Sequence, residues 1–197
     1  MGIYNAEISA GSLMPLESKR IAALLLTNPT ENEWSQALKG ENLLQKKSPA
    51  TARRQARLIR NRLETLDQAG WQHIAGGDKE VTTQLLLAAS IRHSRLLGDF
   101  LVDVYAQHLR RLELSLSPRS WEAFLTECIH RDAAVGEWAD STKRKLFQVI
   151  VRILAEAGFI DSTRKMNLTP PMLHPTVVTY LKRLGDGQTL ACMEQAR

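Results

Sequence analysis

Cysteine is almost absent from this 197-residue chain: Cys128 and Cys192 stand far apart, with no Cys-x-x-Cys spacing. That argues against a disulfide framework and fits a reducing, cytoplasmic setting. Long apolar runs are missing too. The longest, Ile21–Leu26, falls far short of the roughly 18 residues that span a bilayer, and the acidic Glu7 and lack of a basic start do not read as a secretory signal. No Walker A loop, GxGxxG or GxSxG occurs. None of His73, His93, His108, His130 and His174 has another histidine three or four residues on, and Cys128-x-His130 would splay its members apart on a helix, so no metal centre is expected. Asp99 and Asp103 lie four apart, but helical Asp pairs are mostly solvated or bridged by arginine. Neither a catalytic site nor a cofactor is expected, and the chain reads as non-enzymatic.

Aromatic residues are also sparse, at 6%, while Leu, Ala and Arg are abundant, a bias that favours helices. The four tryptophans (Trp34, Trp71, Trp121, Trp138) could stack bases, yet their spacing with Leu and Phe fits core packing better. The formal net charge is +5. It is spread evenly, with 15 basic against 12 acidic residues over 1–115 and 11 against 9 over 116–197. Any polyanion surface must therefore come from local clusters.

The most informative absence is local. Between Lys46 and Arg62 lie seven basic residues (Lys46, Lys47, Arg53, Arg54, Arg57, Arg60 and Arg62) and no acid. Ser48-Pro49 opens a helix over this run, and Gly70 reads as its close. Ala52, Ala56, Ile59, Leu63 and Leu66 form one apolar stripe, while Arg53, Arg57 and Arg60 share a second face. Solvated faces usually mix signs. This one repels itself, a cost that a polyanion would relieve, and the guanidinium fork suits phosphate.

The remaining pattern is mainly α. A helix from Pro15 to Leu26 stops at Asn28-Pro29. Thr30–Glu33 spells a capping box for a second, running through Trp34 and Leu38 toward Gly40. Trp71–Ile74 with Gly76-Gly77-Asp78 reads as a short strand and turn. Helices follow over 78–91 and 98–114. Ser117-Pro118 starts another, with Trp121, Phe124, Leu125 and Ile129 at core spacing. The next runs from Asp140-Ser141 to Ala157 and ends at Gly158, with Leu146, Ile150, Ile153 and Ala157 buried. Lys143, Arg144 and Lys145 in its first turn make a second cation cluster, where free backbone donors also attract anions. Residues 159–169 read as two short strands around a tip carrying Arg164 and Lys165. A helix from Pro175 to Leu184 leaves 185–197 as a weakly ordered tail. The expectation is two helical lobes, 1–115 and 116–197, each with a helix-turn-helix-like unit and the second with a short β-hairpin wing. A faint echo, Ala69-Gly70-Trp71 against Ala157-Gly158-Phe159, suggests that the two units end alike.

The opening Tyr4-Asn5-Ala6-Glu7-Ile8-Ser9-Ala10-Gly11-Ser12-Leu13, followed by Glu17–Ala22, resembles the start of the BrxA family, small accessory proteins of bacterial BREX phage-exclusion systems. Ser48–Leu66, Arg95–Leu101 and Ala157-Gly158-Phe159 are similar as well. The resemblance implies a helical protein, likened to the NusB antitermination factor, working beside larger BREX components (methyltransferase, ATPase and phosphatase-like proteins). It also implies double-stranded DNA binding without catalysis. It assigns no residue, so the candidate DNA-binding set rests on charge: Lys46, Lys47, Arg53, Arg54, Arg57, Arg60, Lys143, Arg144, Lys145, Arg164 and Lys165. The alternatives are an assembly adaptor that docks other BREX proteins and an RNA-binding protein.

Overall fold

A computed structural model of the chain describes residues 2–194. The first two helices keep the expected bounds. α1 (Pro15–Leu26) has Pro15 in its first turn, and α2 (Glu31–Lys39) carries the complete capping box, Thr30 and Glu33 each satisfying the other's backbone donor. α3 (Pro49–Leu63) is the basic helix, capped by the Ser48 hydroxyl accepting from Thr51 N–H. It closes at Leu63, not Gly70, because Asp67 caps a new helix, α4 (Gln68–Gly76), by accepting from Gly70 N–H at 3.0 Å. The strand expected at Trp71–Ile74 is therefore helical. The Gly77-Asp78 break does fall where expected, since Asp78 caps α5 (Lys79–His93).

Gly70 is needed for a different reason. A Cβ there would sit 2.3 Å from the hydroxyl of Tyr180, which donates to Asp67 Oδ1 at 3.0 Å. The echo with residues 157–159 is consequently not structural. Gly70 permits a close helix approach, whereas Gly158, at φ +78°, is a true helix stop. There Phe159 N–H bonds to Leu154 O and Gly158 N–H to Ala155 O, a Schellman closure.

α5 is the axis of the core. Residues 81–91 are all buried, because Leu, Ala and small polar side chains surround it on every face. α1, α3, α4, α10 (Pro175–Arg183) and α11 (Gly187–Glu194) pack around it. Its buried polar groups are used locally: Ser90 donates to Leu86 O at 2.8 Å, and Gln84 bonds both Met172 O and His174 N. α11 overturns the expectation of a weakly ordered tail for 187–194. Asp186 caps it through Thr189 N–H and pairs with Arg92 of α5. Residues 195–197 of that expected tail lie outside the described residues.

The helix expected over 98–114 starts earlier, at the Ser94 cap. It runs as α6 (Arg95–Phe100), one π turn (Leu101–Tyr105) and α7 (Ala106–Arg110). The wider turn accompanies an aromatic cluster in which Phe100 meets Trp121 and Phe124 of α8 (Pro118–Arg131), with centroids 5.9 and 5.3 Å away. In α8 the core spacing ends on Cys128; Ile129 is 37% exposed.

α9 (Asp140–Glu156) buries Leu146, Ile150 and Ile153 as expected, and Ala157 just beyond it is buried too. Residues 159–169 form no extended strands. They make one isolated bridge, Ile160–Leu168, flanked by Asp161 N–H to Asn167 O and Thr169 N–H to Phe159 O. A second bridge, Ser115–Asn167, brings in the segment before α8. Asp161 explains the brevity, because its carboxylate folds back onto Ser162 and Asn167 and closes the tip at once. Among the described residues no helix is long and apolar enough to cross a membrane.

Candidate nucleic-acid interface

The basic helix divides its cations among three environments. Ala52, Ala56, Ile59 and Leu63 pack inward, and Arg62 follows them. It is only 3% exposed, and its guanidinium donates to Ser12 O at 2.5 Å and Gly11 O at 2.9 Å. Burial pushes its pKa down to about 10, a shift partly offset by the Glu156 carboxylate, so it stays charged at neutral pH. Glu156 in turn accepts from the Ser12 hydroxyl and from Leu13 N–H. Arg62 is therefore a clamp between α3 and the chain entering α1, not a member of the exposed basic run.

Arg53, Arg57 and Arg60 share one face, as their spacing predicts, and line a groove of about 540 Å³ beside Trp34, Leu38 and Lys39 of α2. Arg53 and Arg57 are exposed and form no ion pair among the described residues. Arg60 is committed within the fold: it lies 4.7 Å over the Trp34 ring and bonds Glu64 at 2.7 Å and Glu31 at 3.5 Å. Those carboxylates raise its pKa further, the Glu64 bond most strongly.

Arg54 points to the other side. With Lys46 it faces Lys145 and Arg152 of α9 across a second depression, also about 540 Å³, floored by the 9–14 segment. Lys46 is held by Glu17 at 2.5 Å. Burial opposes ionisation of Glu17, but the Lys46 contact, a bond from its own backbone and the Arg20 charge together outweigh it and lower the pKa. Arg54, Lys145 and Arg152 are exposed and have no acid partner among the described residues. The fold thus joins two basic clusters from distant parts of the sequence. Arg152 was not among the expected residues, although Lys145, Gln148/Val149 and Arg152 follow i, i+3/i+4, i+7 and so share one stripe.

The rest of the expected set is more scattered. α9 begins at Asp140, so Lys143-Arg144-Lys145 follow its first three residues instead of occupying the N-terminus, and the first turn is acidic. Lys143 bonds Gly136 O at 3.2 Å. Arg144, Lys47 and the tip residues Arg164 and Lys165 are exposed but do not line either depression.

The features that could suggest catalysis are occupied. Arg131 bonds Asp103 at 2.6 Å, and Arg95 and the Tyr4 hydroxyl hold Asp99. Burial, then the Asp99 contact, raise the Tyr4 pKa. Trp121 packs on Phe147 at 5.6 Å, and Trp71 donates to Leu63 O. Cys128 and Cys192 are buried free thiols, raised in pKa by that burial, Cys128 to about 12. Among the described residues no group of three His, Cys, Asp or Glu could hold a metal.

Comparison with known proteins adds a family. The model of a family described as BrxA matches residues 2–185. The chain is 39% identical over 191 residues to the BREX protein BrxA of Paramagnetospirillum magneticum (strain ATCC 700264 / AMB-1), covering 97% of this chain and 96% of that one. It is 37% identical to the BREX protein BrxA of Escherichia coli O9:H4 (strain HS), covering 97% and 90%, and 28% identical to that of Bacillus cereus (strain H3081.97), covering 94% and 93%. A crystal structure of an uncharacterized protein from Magnetospirillum magneticum superimposes with a TM-score of 0.89 at 38% identity, covering 96% of this chain and 97% of that one.

Proposed function

The chain belongs to the BrxA family, and from that premise we propose that it is a non-enzymatic accessory protein of a bacterial BREX phage-defence system that binds double-stranded DNA. The contacts are chiefly to phosphates, which position a protein on a duplex without reading its sequence. One observation carries this reading: exposed cations with no acid partner among the described residues lie on both sides of α3, and those on one side face a second basic helix. In this arrangement α3 approaches the duplex with its N-terminal half, the helix-turn-helix-like element, and Arg53, Arg54 and Arg57 lead. Lys145 and Arg152 of α9 flank it. Arg164 and Lys165 reach out from the 162–165 tip as a short wing, and Lys47 and Arg144 add outlying phosphate contacts. Sequence selectivity is weak unless Arg53 or Arg57 reaches guanine edges. The protein works in the cytoplasm, where its DNA lies.

A salt titration of binding to a random-sequence duplex tests this. Phosphate contacts from all nine unpaired cations (Arg53, Arg54, Arg57, Lys145, Arg152, Lys47, Arg144, Arg164 and Lys165) give a slope of log affinity against log salt of about −8, and the five on or facing α3 alone about −4 to −5. Failure to bind duplex at low salt overturns the reading.

A second reading, a docking adaptor for other BREX proteins, draws on the groove between α2 and α3. There Trp34 and Leu38 form an apolar centre, and Glu31 and Glu64 mix with the arginines. Such a dock is less salt-sensitive than a phosphate surface. RNA is the weaker polyanion candidate, since the deep, narrow major groove of A-form RNA excludes a helix.

A further inference from the structure

The depression between α3 and α9 differs in kind from the exposed basic faces. It is concave, and its size falls within the range of small-ligand sites, roughly 300–1,000 Å³. Its wall carries Lys46, Arg54, Lys145 and Arg152 and no acidic residue. Two residues of its floor have their acceptors taken. The Gly11 and Ser12 carbonyls are held by Arg62, and the Ser12 hydroxyl is turned to Glu156. Gln55, also in the wall, has a buried amide oxygen with no hydrogen-bond partner. That oxygen is closed off from solvent, so what the fold presents to the open volume is chiefly the cations Arg54, Lys145 and Arg152.

We infer that this pocket is a phosphate-binding site, built to take two or three phosphoryl groups held close together. Three unpaired cations, apart from Lys46 that Glu17 already holds, need more charge than a single carboxylate brings, whereas each terminal phosphate carries about −1.5 to −2 at neutral pH and offers three acceptor oxygens. The Arg54 and Arg152 forks match such oxygens in pairs. The shared chemistry has two sources: successive backbone phosphates of a DNA strand, or a free phosphorylated small molecule such as a nucleotide. The site goes beyond duplex binding, because its first test contains no DNA.

The experiment is calorimetric titration of the full chain with inorganic triphosphate, and with citrate as a non-phosphate polyanion. Triphosphate is expected to bind and citrate to bind far more weakly. Lys145→Ala with Arg152→Ala weakens triphosphate binding about tenfold or more, while Arg53→Ala with Arg57→Ala, an equal loss of charge on the other face, leaves it unchanged. All four residues are exposed, circular dichroism verifies folding, and Lys145→Gln with Arg152→Gln repeats the test with bulk retained. The inference is overturned if wild type does not bind triphosphate, if citrate binds equally well, or if the two double variants lose the same affinity. Competition then separates the sources. Displacement of triphosphate by a duplex places strand phosphates in the pocket; simultaneous binding assigns it to a free phosphorylated molecule. Triphosphate binding without any duplex binding sinks the DNA reading and leaves the site standing.

Discussion

Replacing Arg62 with alanine removes a buried cation from between α3 and the 11–13 segment. Two carbonyls, Gly11 O and Ser12 O, then lose their donor. The Ser12 bond is buried and the Gly11 bond partly so, and a fully buried acceptor left unpaired costs about 1–3 kcal/mol. The guanidinium itself is costly to bury, as its depressed pKa shows, and its loss returns part of that penalty. The net destabilisation is about 3 kcal/mol, in line with breaking a buried charged contact. For a chain of this size each kcal/mol moves the midpoint about 2–4 °C, so Tm falls by about 6–12 °C. Arg62→Met fills more of the space but still orphans both carbonyls, and so remains destabilised. Arg57→Ala, on an exposed helix position, stays within about 0.5 kcal/mol of wild type. Urea unfolding of the three variants is the assay. An Arg62→Ala protein within about 1 kcal/mol of wild type, below the cost of even one orphaned carbonyl, would refute the clamp and return Arg62 to the exposed basic run.

Gly70→Ala drives a methyl group into Tyr180 and is expected to cost about 1–3 kcal/mol. Tyr180→Phe in that background recovers part of the loss, whereas additive losses in thermal denaturation contradict the close-approach account. Arg53→Ala with Arg57→Ala should flatten the duplex salt slope by about 2 without loss of stability, while Arg60→Ala should affect stability more than binding, since Arg60 is tied to Trp34, Glu31 and Glu64; equal effects on the slope refute that division. Acid sensitivity is expected at Asp186. Burial alone would raise its carboxyl, but bonds from Thr189 and Arg92 outweigh it and hold the pKa below the ordinary 3.8. A depressed carboxylate stabilises the fold above its unfolded value, and that contribution is lost as pH falls through the folded pKa. Asp186→Asn therefore loses less stability than wild type between about pH 5 and pH 2, and parallel acid curves would exclude the linkage.

Most helices were legible from local signals. The Thr30–Glu33 capping box, Ser48-Pro49, Asp78, Ser117-Pro118 and Gly158 mark ends through bonds spanning only a few residues, so the chain states them wherever it folds. The identity and local density of the cations were equally plain, as was the shared face of Arg53, Arg57 and Arg60. Other elements were misread where two physical causes leave the same letter. Gly70 looks like a helix stop, but it is an approach point for Tyr180. Trp71–Ile74 reads as a strand until Asp67 is seen to cap a helix there. Residues 187–194 are a helix partly because Asp186 meets Arg92, a partner 94 positions away.

Helix caps and the number of unbalanced cations were settled at the level of the chain, because both follow from near neighbours. Which cations are free was settled by packing. It turned Arg62 inward onto two carbonyls, bound Arg60 to Trp34 and two carboxylates, and laid α3 beside α9 so that Arg54 and Lys145 face one pocket. Those outcomes depend on contacts between distant segments, which a pattern of near neighbours does not encode.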